Sequence, residues 1–390
     1  MAQKLDSLRS SHPIQVPIKH AEEVEQVFDH ISYAKGSVVI RMAECVLGKE
    51  KFREGLQLYF QRHKYSNTET TDLWKAWSDV SGINMTEIMT SWTSKMGYPY
   101  LKVLSESWSD SECIVDLQQA WFLVDGTGDS ESQLWNIPLS ITSSAVMGSD
   151  AALQNKQISD IASGKSFRRV IPLDQNKRGW IKINSGQAAL VRVAHSEEML
   201  SRLLVPGIVG KSLSPIDRAA LLDDQYYLAV SGLAPVKSVL ILISAYEFED
   251  SSTVWKSLHP VVLGLNQAFN AVKFIRPESS DVFSTHDAFV LVVKQKLILP
   301  ALQRVGWFSR PGELDVDKLM RQTIFALMEE FCYSDPEIAA QTKRLFEESI
   351  AASLVNPSDD TLSADIKVRN FYLYLYFCYF LYRSSFCLNA

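Results

Sequence analysis

Between residues 20 and 97 apolar positions recur at helical spacing. Ser37–Leu47 reads as a helix stopped by Gly48, and in Lys49–His63 the side chains Phe52, Leu56, Tyr59 and Phe60 make one apolar face. Thr70 or Thr71 is placed to cap a helix carrying Leu73, Trp74 and Trp77, with Asp72 in its first turn. Asn84 can cap another that turns Ile88, Met89 and Trp92 inward. Gly97-Tyr98-Pro99 closes this helical stretch, because proline and the residue before it disfavour continuation.

From Tyr100 to His195 the period changes to two. Candidate strands are Tyr100–Leu104, Cys113–Leu117, Leu134–Ile141, Phe167–Pro172, Trp180–Asn184 and Leu190–Ala194, separated by Ser/Asp/Gly-rich turns. Short strands at this spacing predict a small antiparallel sandwich. After Ser196 the helical period returns. Ser214-Pro215-Ile216-Asp217 combines a serine cap, proline at the first helical position and an early acid, and Asp335-Pro336-Glu337 repeats that logic. Between them Val236–Tyr246, Thr253–Phe269, Ala288–Val305 and Asp315–Phe331 read as amphipathic helices, which predict antiparallel pairs stacked as a solenoid. Phe371–Tyr382 breaks the series. It is an aromatic and apolar run with five tyrosines, and its twelve residues fall short of the roughly 20 that a membrane-spanning helix needs. It reads as an atypical tail.

Composition adds limits. At 390 residues, with 46% hydrophobic and 22% charged residues and a net charge of -6, the chain can bury two or three domains. It has neither a basic footprint for nucleic acid nor a Lys/Arg run for a membrane surface. Its five cysteines, Cys45, Cys113, Cys332, Cys378 and Cys387, are odd in number and widely spaced, which suits a reducing compartment. The first thirty residues hold no apolar run of signal-peptide type.

The chemistry is partly defined by what these residues lack. A helical zinc peptidase needs His-Glu-x-x-His, because a four-residue step sets two imidazoles on one helix face. The histidines are His12, His20, His30, His63, His195, His259 and His286, and no two stand four apart. After His20-Ala21-Glu22-Glu23, Val24 occupies the place of a second histidine. These histidines read as surface or packing residues. No Gly-x-Ser-x-Gly elbow, phosphate-binding loop or dinucleotide fingerprint occurs, and the acid pairs Glu22-Glu23 and Asp223-Asp224 read as solvated helix faces.

One set of motifs is positive. Ser11-His12-Pro13-Ile14 is followed by Phe28-Asp29-His30-Ile31-Ser32-Tyr33-Ala34-Lys35-Gly36-Ser37-Val38-Val39-Ile40-Arg41-Met42. Tyr65-Ser66-Asn67, Asp72-Leu73-Trp74 and Ser91-Trp92-Thr93-Ser94-Lys95-Met96-Gly97-Tyr98-Pro99 come next. Trp180-Ile181-Lys182-Ile183-Asn184, Asp217-Arg218, Leu222-Asp223-Asp224, Gly306-Trp307 and Pro311-Gly312-Glu313 complete the set. In this order they resemble the zinc aminopeptidases of the puromycin-sensitive type, from Leu5 to about Lys367. Two places depart from the family pattern. Ala189-Leu190-Val191-Arg192-Val193 lacks the aromatics of the family's Gly-Phe-Tyr-Arg-Val strand, and Phe308-Ser309 stands where an Asp-Pro pair is usual.

The resemblance implies a multidomain α+β fold. Residues 1–97 would be the C-terminal helical part of a thermolysin-like catalytic domain, and 98–195 the β-sandwich. Residues 196–367 would be a HEAT/armadillo-like helical solenoid, shorter than usual, and 368–390 the aromatic tail. It implies that Tyr33 stabilises the oxyanion of the tetrahedral intermediate, for which a phenol O–H, a hydrogen-bond donor, is suited. Lys35 and Gly36 are read as helix-entry residues, and Asp29 and Arg41 as structural. The family's zinc ligands and its Gly-x-Met-Glu-Asn motif are expected upstream of residue 1. The function expected is therefore that of a metallo-aminopeptidase acting on peptides, here incomplete, binding no zinc and inactive alone. The expected location is cytoplasmic, and association with a full-length relative is expected as a possible partnership. The alternative is a non-catalytic peptide- or protein-binding module built of sandwich and solenoid.

Overall fold

The computed structural model describes residues 2–127, 133–145, 157–175, 178–275, 284–308, 310–333 and 335–355. The aromatic tail expected at 368–390 lies outside them. Contacts divide the chain into two compact units, Met1–Leu242 and Ile243–Ala390.

The first unit opens with helices. A π-helical turn, Ile31–Lys35, runs into α1, Gly36–His63, followed by α2, Thr70–Ser81, and α3, Met85–Thr93. Gly48 interrupts α1 at φ 74° and ψ 156°, a conformation open to a residue without Cβ, so the stop read from the sequence lies there. Before it Val39, Met42, Ala43, Val46 and Leu47 turn one stripe into the core. Trp77 stacks between Phe52 at 4.9 Å and Trp74 at 5.3 Å, and its indole N–H donates to the Phe52 carbonyl at 3.1 Å. The cap of α2 is not Thr70 or Thr71. Both lie inside the helix, and Glu69 takes the extended cap conformation while Asp72 accepts its N–H at 2.9 Å. The acid three residues into the helix thus sets the start one residue earlier than the threonines suggest. Asn84 caps α3 as expected, accepting the Glu87 N–H at 3.2 Å.

The β region holds β1 Pro99–Trp108, β2 Glu112–Trp121, β3 Ile137–Pro138, β4 Ile141–Ser143, β5 Ile161–Ala162, β6 Ser166–Pro172, β7 Ile181–Ile183 and β8 Arg192–Ala194. The main sheet runs β6-β2-β1-β8, with β3–β5 and β4–β7 as two smaller pairs. Along β2, Cys113, Val115, Leu117, Gln119 and Trp121 are buried in strict alternation. Gln119 meets its polar demand by donating to the Trp135 and Gly164 carbonyls and accepting the Trp135 N–H.

Two expectations need correction here. The sheet is not wholly antiparallel, because β8 pairs parallel with β1, Tyr100 opposite Arg192. The chain makes a long excursion through the other strands before reaching the free edge of β1, and a connection of that length permits the parallel sense. The single strand expected over Leu134–Ile141 is two short ones with different partners, β3 and β4. Pro138 supplies no N–H for a continuing ladder.

Helices α4, Glu197–Leu203, and α5, Pro215–Val230, follow, and α6, Val236–Ala245, carries the chain past the boundary of the first unit. Ser214 caps α5 as expected, accepting the Asp217 N–H at 3.1 Å. The Asp217 and Asp224 motifs lock α5 to the β region. Asp217 accepts the Gly186 N–H at 2.8 Å, and Asp224 accepts the Val193 N–H at 3.1 Å while lying 3.3 Å from the Arg192 guanidinium. Asp224 is therefore a buried partner rather than part of a solvated face.

In the second unit α7 spans Ser252–Ile275, α8 Thr285–Val292, α9 Leu299–Val305, α10 Asp315–Phe331 and α11 Pro336–Val355. A π-helical turn, Val293–Ile298, joins α8 to α9, so the helix expected over Ala288–Val305 starts earlier and contains this irregular turn. Phe289 sits between Phe269 at 5.1 Å and Phe331 at 6.2 Å, holding α8 against α7 and α10. Gly306 and Glu313 of the motifs singled out in the sequence meet at Arg321, which pairs with Glu313 and donates to the Val305 and Gly306 carbonyls.

Candidate active site

Phe28 and Asp29 lead into the π turn that carries Tyr33. Asp29 closes this turn twice: its Oδ1 accepts the Ser32 N–H at 2.9 Å and its carbonyl accepts the Tyr33 N–H at 3.1 Å. A π turn shifts the side-chain directions of a regular helix and recurs at functional positions. Here Ile31 and Lys35 go inward, and Tyr33 between them is 64% exposed. The Phe28 ring lies 6.2 Å from the Tyr33 ring.

Tyr33 lines a cavity of about 850 Å³ whose walls include Ile14, Val16, Phe28, Val39 and Trp74. One wall is the stretch Ile14–Ile18, pinned where the Gln15 N–H donates to the Thr93 carbonyl at 2.9 Å. The other is the π turn with the start of α1. Ser32 Oγ and Trp74 Nε1 are buried in this lining without a hydrogen-bond partner among the described residues. A mostly apolar groove with a few polar groups is the usual form of a site for an organic ligand.

Behind the groove Lys35 does more than open a helix. Its Nζ lies 3.0 Å from Asp6 Oδ2 and donates to the Lys95 carbonyl at 3.0 Å and the Gly97 carbonyl at 2.8 Å. Burial outweighs the attraction of Asp6 and holds this ammonium below the ordinary lysine pKa. Asp6 in turn accepts the Ser11 hydroxyl at 2.6 Å and the Gly97 N–H at 2.8 Å. Arg41 donates to the Gly186 and Gln187 carbonyls, which agrees with a structural role.

His12, two residues before the first wall, reaches the segment that leads into the π turn. Its Nδ1 lies 2.8 Å from the Pro13 carbonyl and its Nε2 2.9 Å from Asp29 Oδ2. Burial alone would push its pKa down, but the Pro13 carbonyl and Asp29 outweigh it and hold the ring above the ordinary value. For Asp29 burial likewise acts upward, and the Ser32 N–H with His12 overcome it to hold the carboxyl below the usual range. His12 was read from the sequence as a surface or packing residue. The signal that could have found it is its place two residues before the groove wall, with a carboxylate opening the next motif.

The described side chains do not fit a zinc ion. Among the described residues no three His, Cys, Asp or Glu side chains group as a metal site. His12 has both nitrogens engaged, and His286 Nε2 lies 2.9 Å from Asn266 Oδ1. His195 is buried, and desolvation with the nearby Lys182 charge pushes its pKa down to about 3.

Comparison with known proteins agrees with this architecture. Residues 1–92 match the Peptidase family M1 domain, and residues 180–371 match the ERAP1-like C-terminal domain. The chain is 32% identical over 324 residues to Aminopeptidase M1-D of Oryza sativa subsp. japonica, which covers 83% of this chain and 35% of that protein. It is 34% identical over 261 residues to the Puromycin-sensitive aminopeptidase of Caenorhabditis elegans, 65% of this chain and 26% of that protein. To the Alanine/arginine aminopeptidase of Saccharomyces cerevisiae it is 31% identical over 329 residues, 83% of this chain and 35% of that protein. The chain spans about a third of the length of such relatives. It belongs to the M1 aminopeptidase family. Among the described residues no helix is long and apolar enough to cross a membrane.

Proposed function

We propose that this chain takes part in removing amino-terminal residues from peptides, and that its own contribution is Tyr33. The phenol donates a hydrogen bond to the scissile carbonyl oxygen as that oxygen gains negative charge. The observation that carries the reading is the placement of Tyr33, exposed on an irregular turn and lining an apolar groove large enough for peptide side chains. The family's zinc chemistry needs ligands that the described residues do not bring together, so on this reading the metal and the general base come from other residues. On this reading the chain alone neither binds zinc nor hydrolyses peptides. Residues 1–97 form the groove-bearing part, 98–195 the sandwich that supports it, and 196–367 a helical solenoid. The free thiols of Cys45, Cys113 and Cys332 support a reducing, cytoplasmic setting.

The test has two arms. The purified chain is assayed for bound zinc and for turnover of an aminoacyl-arylamide, with neither expected; stoichiometric zinc with turnover would refute the division of labour. It is then combined with a polypeptide carrying the zinc-binding half of a related aminopeptidase. Hydrolysis is expected to appear and to depend on Tyr33. Saturable peptide binding without hydrolysis in that mixture would favour the non-catalytic module, a reading the apolar groove also supports.

A further inference from the structure

We propose that His12 is a positioning residue of this site, a protonated clamp that ties the Ile14–Ile18 wall to the turn carrying Tyr33. This rests on the reading of Tyr33 as the oxyanion donor. Both imidazole nitrogens face acceptors, Nδ1 the Pro13 carbonyl at 2.8 Å and Nε2 the Asp29 carboxylate at 2.9 Å. A neutral imidazole carries one N–H and satisfies one of them; the imidazolium satisfies both. The Pro13 end belongs to the chain that becomes the first wall. The Asp29 end belongs to the residue that accepts the N–H groups of Ser32 and Tyr33. A proton on His12 therefore holds Asp29, and Asp29 holds the backbone from which the phenol projects.

The charges acting on the ring are Asp29 and, at longer range, Asp6, which Lys35 offsets. Both carboxylates favour the imidazolium. The folded ring titrates above its ordinary ~6.5, so both bonds and the charge are fully present below that value, and as pH rises through the folded pKa the ring loses its charge and one N–H and its hold on Asp29 weakens. The two partners are seventeen residues apart, each about a third exposed, so solvent protons reach them without unfolding.

The test needs no hydrolysis, which separates its failure from failure of the Tyr33 reading. The full chain is labelled with ¹⁵N-tyrosine and ¹³C-histidine, with Tyr33 assigned from Tyr33→Phe and His12 from His12→Gln. Through pH 5–9 the His12 ring is expected to titrate above the ordinary histidine value. The Tyr33 amide is expected to shift with the same midpoint. In Asp29→Asn the His12 midpoint falls and the Tyr33 shift disappears, and His12→Gln removes it as well. A Tyr33 amide that ignores the His12 titration, or that keeps its step in Asp29→Asn, overturns the proposal. If His12→Gln fails to fold, His12 is assigned from Asp29→Asn and the titration of the unmodified chain decides.

Discussion

The Lys35 ammonium lies 3.0 Å from the Asp6 carboxylate, and neither side chain is reached by solvent. The ammonium also donates to the Lys95 and Gly97 carbonyls, so the ion pair and two hydrogen bonds surround it with oxygen. This knot ties the amino-terminal segment, the turn carrying Tyr33 and the end of the helical region at one point. Removing one partner leaves a buried charge uncompensated. Asp6→Ala is expected to destabilise the first unit by about 3–5 kcal/mol, and the double variant Asp6→Ala/Lys35→Met to recover part of the loss. Urea unfolding of both variants checks this.

Gly97 closes the same knot from the backbone side. Its φ of +76° suits a residue without Cβ, and a Cβ there would lie 2.1 Å from the Trp121 indole nitrogen. Backbone strain and overpacking act together, so Gly97→Ala is expected to cost roughly 2–5 kcal/mol. The same change at Gly48, where no atom lies within 4 Å of the added carbon, meets the backbone cost alone and is expected to cost less. Thermal unfolding of the two variants side by side gives the ranking.

The pair between β2 and β6 makes a pH prediction. The Arg168 guanidinium, and after it the Ser105 hydroxyl, hold the Asp116 carboxyl down to about 2. A depressed acid contributes stability that is present above its unfolded value of ~3.9 and is lost as pH falls toward 2. Arg168→Gln is expected to return the carboxyl toward the ordinary aspartate range. A ¹³C carboxyl titration of both proteins reads the shift directly.

Tyr33→Phe tests the chemistry. Tyr33 is largely exposed, so the variant is expected to unfold within about 0.5 kcal/mol of the unmodified chain. Combined with a zinc-bearing half, it is expected to lose about 10²–10³ in kcat with KM little changed, because the hydrogen bond strengthens as charge develops on the oxygen. An unchanged kcat would remove Tyr33 from the mechanism.

Local pattern alone determined a good deal of this protein. The stop at Gly48, the Asn84 and Ser214 caps and the two-residue burial of β2 rest on neighbours within one or two turns, or on alternate residues of one strand. The order of motifs singled out the Tyr33 segment, although periodicity by itself marks no tyrosine as special. Only the tertiary structure decided the rest. It paired β8 parallel to β1, split the expected strand at Pro138, and turned Asp224 and Lys35 from surface and helix-entry residues into buried partners. It also set His12 against Asp29, seventeen residues away. The reason is common to all of these: each depends on which distant segments meet in the core and on how much water they exclude, and neither a helical nor a strand period carries that information.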